Sequence, residues 1–189
     1  MDLIRLAGLV AAVTLAAGAQ PDAVVAITHI EGKVYVDEKP VEMPSVLNGD
    51  GVVRTEGGRA EIRLRSGTVF LGENSSIRVL ANRPYNFNRL VMLSGSAVVA
   101  TGEGAGLVMC EDTVTLSDGG VFRLDLHQGY CRFRVYQGAA SVQLGSIATV
   151  LRTGKTMNLN RQCGDMIPWD DFDLKEIDDL DRWSRASRE

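Results

Sequence analysis

The fold is decided by residues 49–75, which read "GDGVVRTEGGRAEIRLRSGTVFLGENS". A glycine-rich stretch of this kind either binds a phosphate group or allows the chain to turn. A phosphate-binding loop requires Gly-Lys-Ser/Thr between a strand and a helix, and no Gly-Lys pair occurs here. Apolar and polar residues instead alternate from Arg59 to Arg65, which is the pattern of a half-buried β-strand. These glycines are therefore predicted to turn the chain.

The same pattern of strand, polar residue, glycine and second strand occurs four times, in residues 62–71, 91–99, 133–142 and 150–159. Glycine at this point supplies the positive φ that a tight hairpin turn requires. The glycines assigned to these turns are Gly67, Gly95, Gly138 and Gly154. No helical periodicity occurs from residue 24 to about residue 160. The sequence therefore predicts an all-β domain of repetitive antiparallel hairpins, arranged as a β-solenoid-like coil or as a stack of two sheets.

The hydrophobic period changes after residue 164. Leu174, Ile177, Leu180 and Trp183 recur at helical spacing, which predicts one amphipathic helix. Residues 165–189 contain nine acidic and four basic side chains, so the negative charge of the protein lies in this segment. Two roles fit the apolar stripe. It either docks on the sheet or engages a partner protein.

The N-terminus has the features of a secretory signal peptide. Arg5 precedes an uncharged apolar segment, residues 6–18, and Ala17-Gly18-Ala19 has the small residues of a cleavage site. We expect cleavage before Gln20 and a periplasmic or secreted mature protein without a stable membrane span; retention of the segment as an anchor is the alternative. The predicted organisation is a signal peptide over 1–19, a β domain over 20–164 and an acidic segment over 165–189.

Composition argues against several classes of function. A net charge of −4 gives no electrostatic basis for nucleic acid as the main partner. The two histidines, His29 and His127, have no cysteine or histidine nearby at ligand spacing, so neither a metal site nor a cofactor is predicted.

Three cysteines in an exported protein predict one disulfide and one remaining thiol, or an intermolecular bridge. Strand parity points Cys110 and Cys131 toward the core, whereas Cys163 lies in a polar loop. This favours a Cys110–Cys131 bridge, and Cys131–Cys163 is the next alternative. In a flat meander one strand would separate the first pair by about 9–10 Å, so that bridge requires the sheet to fold over.

Arginines are concentrated between residues 54 and 89. Arg59, Arg63 and Arg65 share one face of the predicted strand, which fits an anionic ligand such as a polysaccharide or a lipid headgroup. A solvated strand face that protects a sheet edge explains the same pattern.

Residues 46–80 resemble the core signature of the FecR domain family. This signature has Gly-Asp before Val-x-Thr, a Gly/Arg/Ala triplet, a hairpin with a glycine turn and an Asn/Ser step. The matching residues are Gly49, Asp50, Val53, Thr55, Gly58, Arg59, Ala60, Gly67, Asn74 and Ser75. The resemblance extends over about residues 27–160, and residues 172–188 are similar to the segment that follows this domain in some exported family members.

The resemblance implies an extracytoplasmic, all-β, solenoid-like module. The namesake of the family senses an outer-membrane iron transporter and signals to a cytoplasmic sigma factor. That role needs a cytoplasmic anti-sigma segment, a membrane span and a C-terminal module that contacts the transporter. This chain has five residues before its apolar segment and one predicted helix after the β domain. We therefore expect an exported FecR-like protein without the anti-sigma and transporter-contacting segments.

Two classes of function remain. The expected one is a non-catalytic binding or scaffold module of the bacterial envelope, with a role in signalling and an envelope protein or polysaccharide as partner. The alternative is an enzyme that acts on polysaccharide from a β-solenoid. Such an enzyme needs two facing acids, one with a raised pKa. The acids of the β region lie at predicted turns or alternate with arginines, so no catalytic residue is predicted.

Overall fold

The computed structural model of the protein describes residues 25–42, 44–47, 49–80, 89–102, 105–109, 112–117, 119–128, 130–144, 146–159 and 169–189. The predicted signal peptide, Cys110 and Cys163 lie outside these residues. The described residues form fifteen strands and one helix. These are β1 Val25–Val36, β2 Lys39–Val41, β3 Ser45–Leu47, β4 Gly51–Leu64, β5 Gly67–Leu71, β6 Ser76–Leu80, β7 Arg89–Thr101, β8 Ala105–Met109, β9 Asp112–Leu116, β10 Val121–His127, β11 Tyr130–Gln137, β12 Ala139–Leu144, β13 Ile147–Arg152, β14 Lys155–Asn158, β15 Trp169–Asp171 and α1 Asp179–Ala186.

Three long strands, β1, β4 and β7, run through both halves of a folded sheet. The first part of β7 pairs with β6 and β8, and its second part pairs with β5 and β10. One half of the sheet has the order β15-β14-β11-β10-β7-β5-β4-β1-β3, and the other has the order β13-β12-β9-β8-β7-β6-β4-β1-β2. Neighbouring strands are antiparallel, except that β7 and β8 are parallel.

Each long strand bends at a glycine. Gly32 in β1, Gly57 in β4 and Gly95 in β7 have φ values of 67°, 60° and 82°, which belong to the left-handed region that favours glycine. At Gly95 there is also no space for a side chain, because a Cβ would lie 2.6 Å from the Cα of Ser75. The bends therefore depend on glycine, and they allow one strand to serve both halves of the sheet.

Residues of the FecR-like signature stabilise the bend of β4. The Thr55 hydroxyl donates to the Gly72 carbonyl at 2.6 Å and accepts from the Ser75 backbone N–H at 3.0 Å. The Asn74 side-chain oxygen accepts from the Gly57 N–H at 3.2 Å, and Asn74 itself has a φ of 49°. The signature thus describes a structural corner.

Thr101, in the next long strand, has the same arrangement as Thr55. Its hydroxyl donates to the Ser117 carbonyl at 2.6 Å and accepts from the Gly120 N–H at 2.8 Å. The backbone N–H of Thr55 also donates to the Ser75 carbonyl, and that of Thr101 donates to the Gly120 carbonyl, both at 2.9 Å. The internal repetition of the protein is therefore a repeated corner.

The inward side chains of both halves form one apolar core. It includes Ile62, Leu71, Phe122 and Phe133 from one half and Leu90 from the other, and each of these residues is fully buried. The prediction of an all-β antiparallel fold with one C-terminal helix is confirmed. Of the two predicted arrangements, the stack of two sheets describes the fold. The β-solenoid-like coil has no support, because strands that are distant in the sequence, such as β9 and β12, are neighbours in the sheet.

The hairpin prediction is correct for one of the four glycine segments. Leu64 pairs with Gly67, so β4 and β5 form a hairpin whose two-residue turn is Arg65-Ser66. Gly95 lies inside the continuous strand β7. Gly138 and Gly154 lie between strands that do not pair with each other, since β11 pairs with β10 and β14, and β12 pairs with β9 and β13. All four glycines have positive φ, but three of them lie at bends or corners.

Cys131 lies in β11 and is 2% exposed, packed in the main core. It is disulfide-bonded, and both residues that can be its partner, Cys110 and Cys163, lie outside the described residues. The choice between the two pairings stays a prediction.

Candidate functional site

Helix α1 covers part of the outer face of the sheet. Leu180 packs with Phe70, Val98 and Val121 in a second apolar cluster, and Trp183 lies at its margin. The Trp183 ring contacts the Phe70 ring edge-on at a centroid distance of 5.4 Å. This cluster is separate from the main core, so the helix and the sheet face beneath it form a distinct unit of the structure.

The helix is shorter than the sequence pattern predicts. It begins at Asp179, because Asp178 has extended backbone angles and its carboxylate accepts the Asp181 N–H in a capping box. Leu174 and Ile177 therefore precede the helix. Leu174 is 38% exposed and does not dock, which corrects its assignment to the docking stripe, whereas Ile177 is half-buried. The apolar residues keep helical spacing from Leu174 onward, but the N-cap at Asp178 excludes Leu174 and Ile177 from the helix.

A buried charged cluster joins α1 to the sheet. The guanidinium of Arg123 in β10 donates to three carboxylates: Asp125 at 3.0 Å, Asp178 at 2.6 Å and Asp181 at 2.8 Å. Arg123, Asp125 and Asp181 are only 5%, 3% and 3% exposed. Because Asp125 lies on the sheet and the other two acids lie at the start of the helix, one cation connects the two elements.

Further hydrogen bonds surround this arginine. Asp125 accepts from the Ser96 hydroxyl and from Arg134, both at 2.7 Å. Asp181 accepts from the Tyr136 hydroxyl at 3.1 Å. Buried charges are stabilised only when they are paired and hydrogen-bonded, and this cluster fulfils that condition for most of its polar atoms. Among the described residues, Arg134 Nε and Asp181 Oδ1 are the buried side-chain atoms without a partner.

The cluster shifts the pKa values of Asp125, Asp178 and Tyr136. Burial alone would raise the pKa of Asp125, but the charge of Arg123 and the hydrogen bonds from Ser96 and Arg134 lower it below its ordinary value. Burial would likewise raise the pKa of Asp178, but the hydrogen bond and charge of Arg123 and the hydrogen bonds with Asp181 together lower it well below the usual range. Burial and the adjacent negative charge of Asp181 raise the pKa of Tyr136 to about 12. Asp125 and Asp178 are therefore held ionised, and the phenol of Tyr136 is held neutral.

Sequence reasoning did not identify this cluster. In "VFRLDLH" the charged residues Arg123 and Asp125 alternate with apolar ones, which indicates a strand with one solvated face. That face is covered only because a helix 58 residues further along the chain lies on it. The sequence signal for the cluster was the large number of acids at the start of the helix. Negative charge is favourable at any helix N-terminus, so this signal did not indicate a buried partner.

Two arrangements in this region contain residue types that enzymes use. Asp125 and Asp181 are two buried carboxylates that share Arg123, but the pKa of Asp125 is lowered, and a glycosidase acid requires a raised one. Ser96 lies 3.3 Å from His127 Nε2, yet Asp125 accepts a hydrogen bond from the serine. In a catalytic triad the carboxylate holds the imidazole, so this geometry does not activate Ser96 as a nucleophile.

The arginines proposed for anion binding lie among acidic side chains. Arg59 donates to Glu31 at 2.6 Å and stacks on the Trp183 ring at 4.8 Å, and Arg63 pairs with Glu61 at 3.1 Å. Arg65 is exposed in the turn between β4 and β5. Two of the three positive charges are thus compensated by neighbours on the same face, which makes this face mixed in charge.

Two cavities adjoin helix α1. A cavity of about 150 Å³ beside Asp181 is lined by Tyr136, Ser184 and Arg185, and its volume is below the ~300–1,000 Å³ usual for ligand pockets. An open depression of about 660 Å³ lies between Arg59 and Trp183. No group of three or more possible metal ligands occurs within the part of the chain that the structure describes. In that same part, no helix is long and apolar enough to cross a membrane.

No protein-family model and no curated protein sequence matches the chain. Two crystal structures, each of a putative anti-sigma factor from Parabacteroides distasonis ATCC 8503, have a similar fold, with TM-scores of 0.56 and 0.55 and sequence identities of 15% and 14%. The similarity covers 67% and 66% of this chain but only 62% and 61% of those chains. The chain thus shares its fold with a part of these proteins.

Proposed function

We propose that this chain is an exported, FecR-like, non-catalytic module of the bacterial envelope that binds a protein partner in signalling. The observation that carries the proposal is the fold, because its structural neighbours are putative anti-sigma factors. Proteins of that class act by binding other proteins. The signature residues that resemble FecR occupy the corner at Thr55 and Ser75, so the resemblance rests on residues that shape the fold.

A binding role agrees with how the polar groups are used. The charged residues that lie together under α1 hold the helix in place, and the carboxylate of Asp125 is kept ionised by Arg123. The pKa of Asp125 is lowered, whereas a glycosidase acid needs a raised one, and the Ser96–His127 contact lacks the geometry of a catalytic triad. A non-catalytic module is therefore the proposal that requires the fewest additional features.

Export rests on the sequence of residues 1–19, which lie outside the described residues. Fractionation of the producing bacterium, followed by N-terminal sequencing, tests it. The proposal expects Gln20 at or near the start of the protein in the periplasm or the medium. Recovery of Met1 or Asp2 on protein from the soluble cytoplasm would contradict export.

Partner binding is tested by cross-linking of the tagged mature chain in envelope extract, followed by affinity purification. The negative control is the Gly95→Val variant, which disrupts the bend of β7 and with it the fold. The proposal expects a protein that is retained by the parent chain, lost with the variant and unaffected by prior digestion of envelope polysaccharides. Retention of polysaccharide instead of protein, or release of reducing ends from it by the purified chain, would contradict the proposal.

A further inference from the structure

Four strands have a single neighbour among the described residues, namely β2, β3, β13 and β15. Proteins protect such edges from unwanted pairing by making them short or by placing charges and proline on them. Three of these edges follow the rule. β2 has three residues and includes Lys39 and Pro40, β3 has three residues, and β15 has three residues with two aspartates.

The fourth edge, β13, is less protected, because it is longer and has a charge only at its end. It has six residues with the sequence IATVLR, without proline, lysine or an acid, and Arg152 at its end is its one charged residue. The preceding strand β12, which pairs with it from Ala139↔Arg152 to Leu144↔Ile147, is uncharged as well. Val150 is 57% exposed and Ala148 is also exposed. This is the combination of features that favours addition of another strand.

We propose that β13 is the interface through which two copies of this chain associate, with the two β13 strands antiparallel about a twofold axis. Outward residues must lie opposite outward residues in such a pair, because side chains of directly opposite residues point to the same face. With Thr149 at the axis, Ala148 of one copy faces Val150 of the other. Arg152 then faces Ser146, so no like charges meet.

The β13 strand of a second copy fits the β13 edge better than the exposed edge strand β15 would. It offers a strand of equal length and equal neutrality, whereas β15 would bring Asp170 and Asp171 into a three-residue pairing. A closed twofold pair also uses both edges, so association ends at the dimer. An extended segment of another protein, or an undescribed segment of this chain, would instead leave the protein monomeric.

Sedimentation velocity of the mature protein over a dilution series tests the proposal. The parent chain should form a dimer. In the Ala148→Lys/Val150→Lys double variant, two lysines of each copy would face lysines of the other, and the dissociation constant should rise at least tenfold. The matched control is Val46→Lys in β3, because Val46 is 56% exposed on an edge strand and should leave the dissociation constant unchanged.

Charge reversal provides the decisive measurement. Ala148→Glu/Val150→Glu alone should be as weakly associated as the lysine variant, but an equimolar mixture of the two should form a heterodimer. Circular dichroism melts of each variant verify that the fold persists. A monomeric parent chain, equal weakening by Val46→Lys, or a mixture that stays monomeric would each overturn the proposal.

Discussion

Replacement of Arg123 by methionine tests the buried cluster that joins α1 to the sheet. The change preserves much of the side-chain volume but leaves Asp125 and Asp181, which are 3% exposed each, without their common cation. Removal of one partner from a buried ion pair costs about 3–5 kcal/mol, because the remaining charge is buried without compensation. Since a domain of this size loses about 2–4 °C for each kcal/mol, the melting temperature should fall by about 6–20 °C.

The structure also limits this loss. Asp181 can regain water if α1 leaves the sheet, so the cost at that acid cannot exceed the free energy that docks the helix. Arg123→Met should therefore destabilise a chain that ends at residue 177 by much less than it destabilises the full-length protein. The two changes share the same contacts, so their effects should not add.

Urea denaturation, followed by circular dichroism, gives the free energies of unfolding of the four proteins in this cycle. Arg182→Met is the control, because Arg182 pairs with Asp179 on the solvent side of the same helix and its side chain is 59% exposed. An exposed pair contributes at most about 1 kcal/mol. If Arg123→Met costs no more than Arg182→Met, or costs the same in the truncated chain, the buried cluster does not hold the helix.

Four further predictions concern pH, the bends and the helix. Because the pKa of Tyr136 is raised to about 12, its contribution to stability is complete below pH 10 and should be lost as the pH rises from 10 toward 12. Ultraviolet titration should show one tyrosine that ionises at higher pH than the others, and this signal should be absent in Tyr136→Phe. Asp125 and Asp178 have lowered pKa values, so their contribution is complete above about pH 4 and should disappear at lower pH, as acid titration followed by circular dichroism would show. Gly95→Ala should lower the free energy of unfolding in urea by more than Gly154→Ala does. Both glycines have positive φ, which costs an alanine about 1–2 kcal/mol, but only at Gly95 would the new Cβ also clash with Ser75. Equal losses would argue against this close approach. Deletion of residues 178–189 exposes Phe70 and Val98 and should lower the free energy of unfolding by about 2–4 kcal/mol. This magnitude follows from the ~1.5–3 kcal/mol that burial of one large side chain, such as that of Leu180, contributes. An unchanged melting temperature would indicate that the helix is not docked.

Strand content was predictable because it depends on neighbours in the chain. Alternation around Ile62 and Leu64 places one face inward whatever the partner strand is, and the positive φ of Gly67 follows from the tight turn at Arg65-Ser66 that precedes it. The helical spacing of Leu180 and Trp183 similarly indicates a helix face that requires an apolar surface. These properties are local, so the sequence by itself determined the strand content, the positive φ of the four glycines and the presence of the helix.

Strand partners were decided by the tertiary structure. The chain looks alike around Gly67 and Gly138, yet the strand after Gly67 returns to its neighbour and the strand after Gly138 passes to the other half of the sheet. The difference depends on which surfaces bury the most apolar area, and that is a property of the whole core. Likewise, Arg123 is buried only because Asp178 and Asp181 arrive from the distant helix and compensate its charge, so the cluster exists in the folded chain alone.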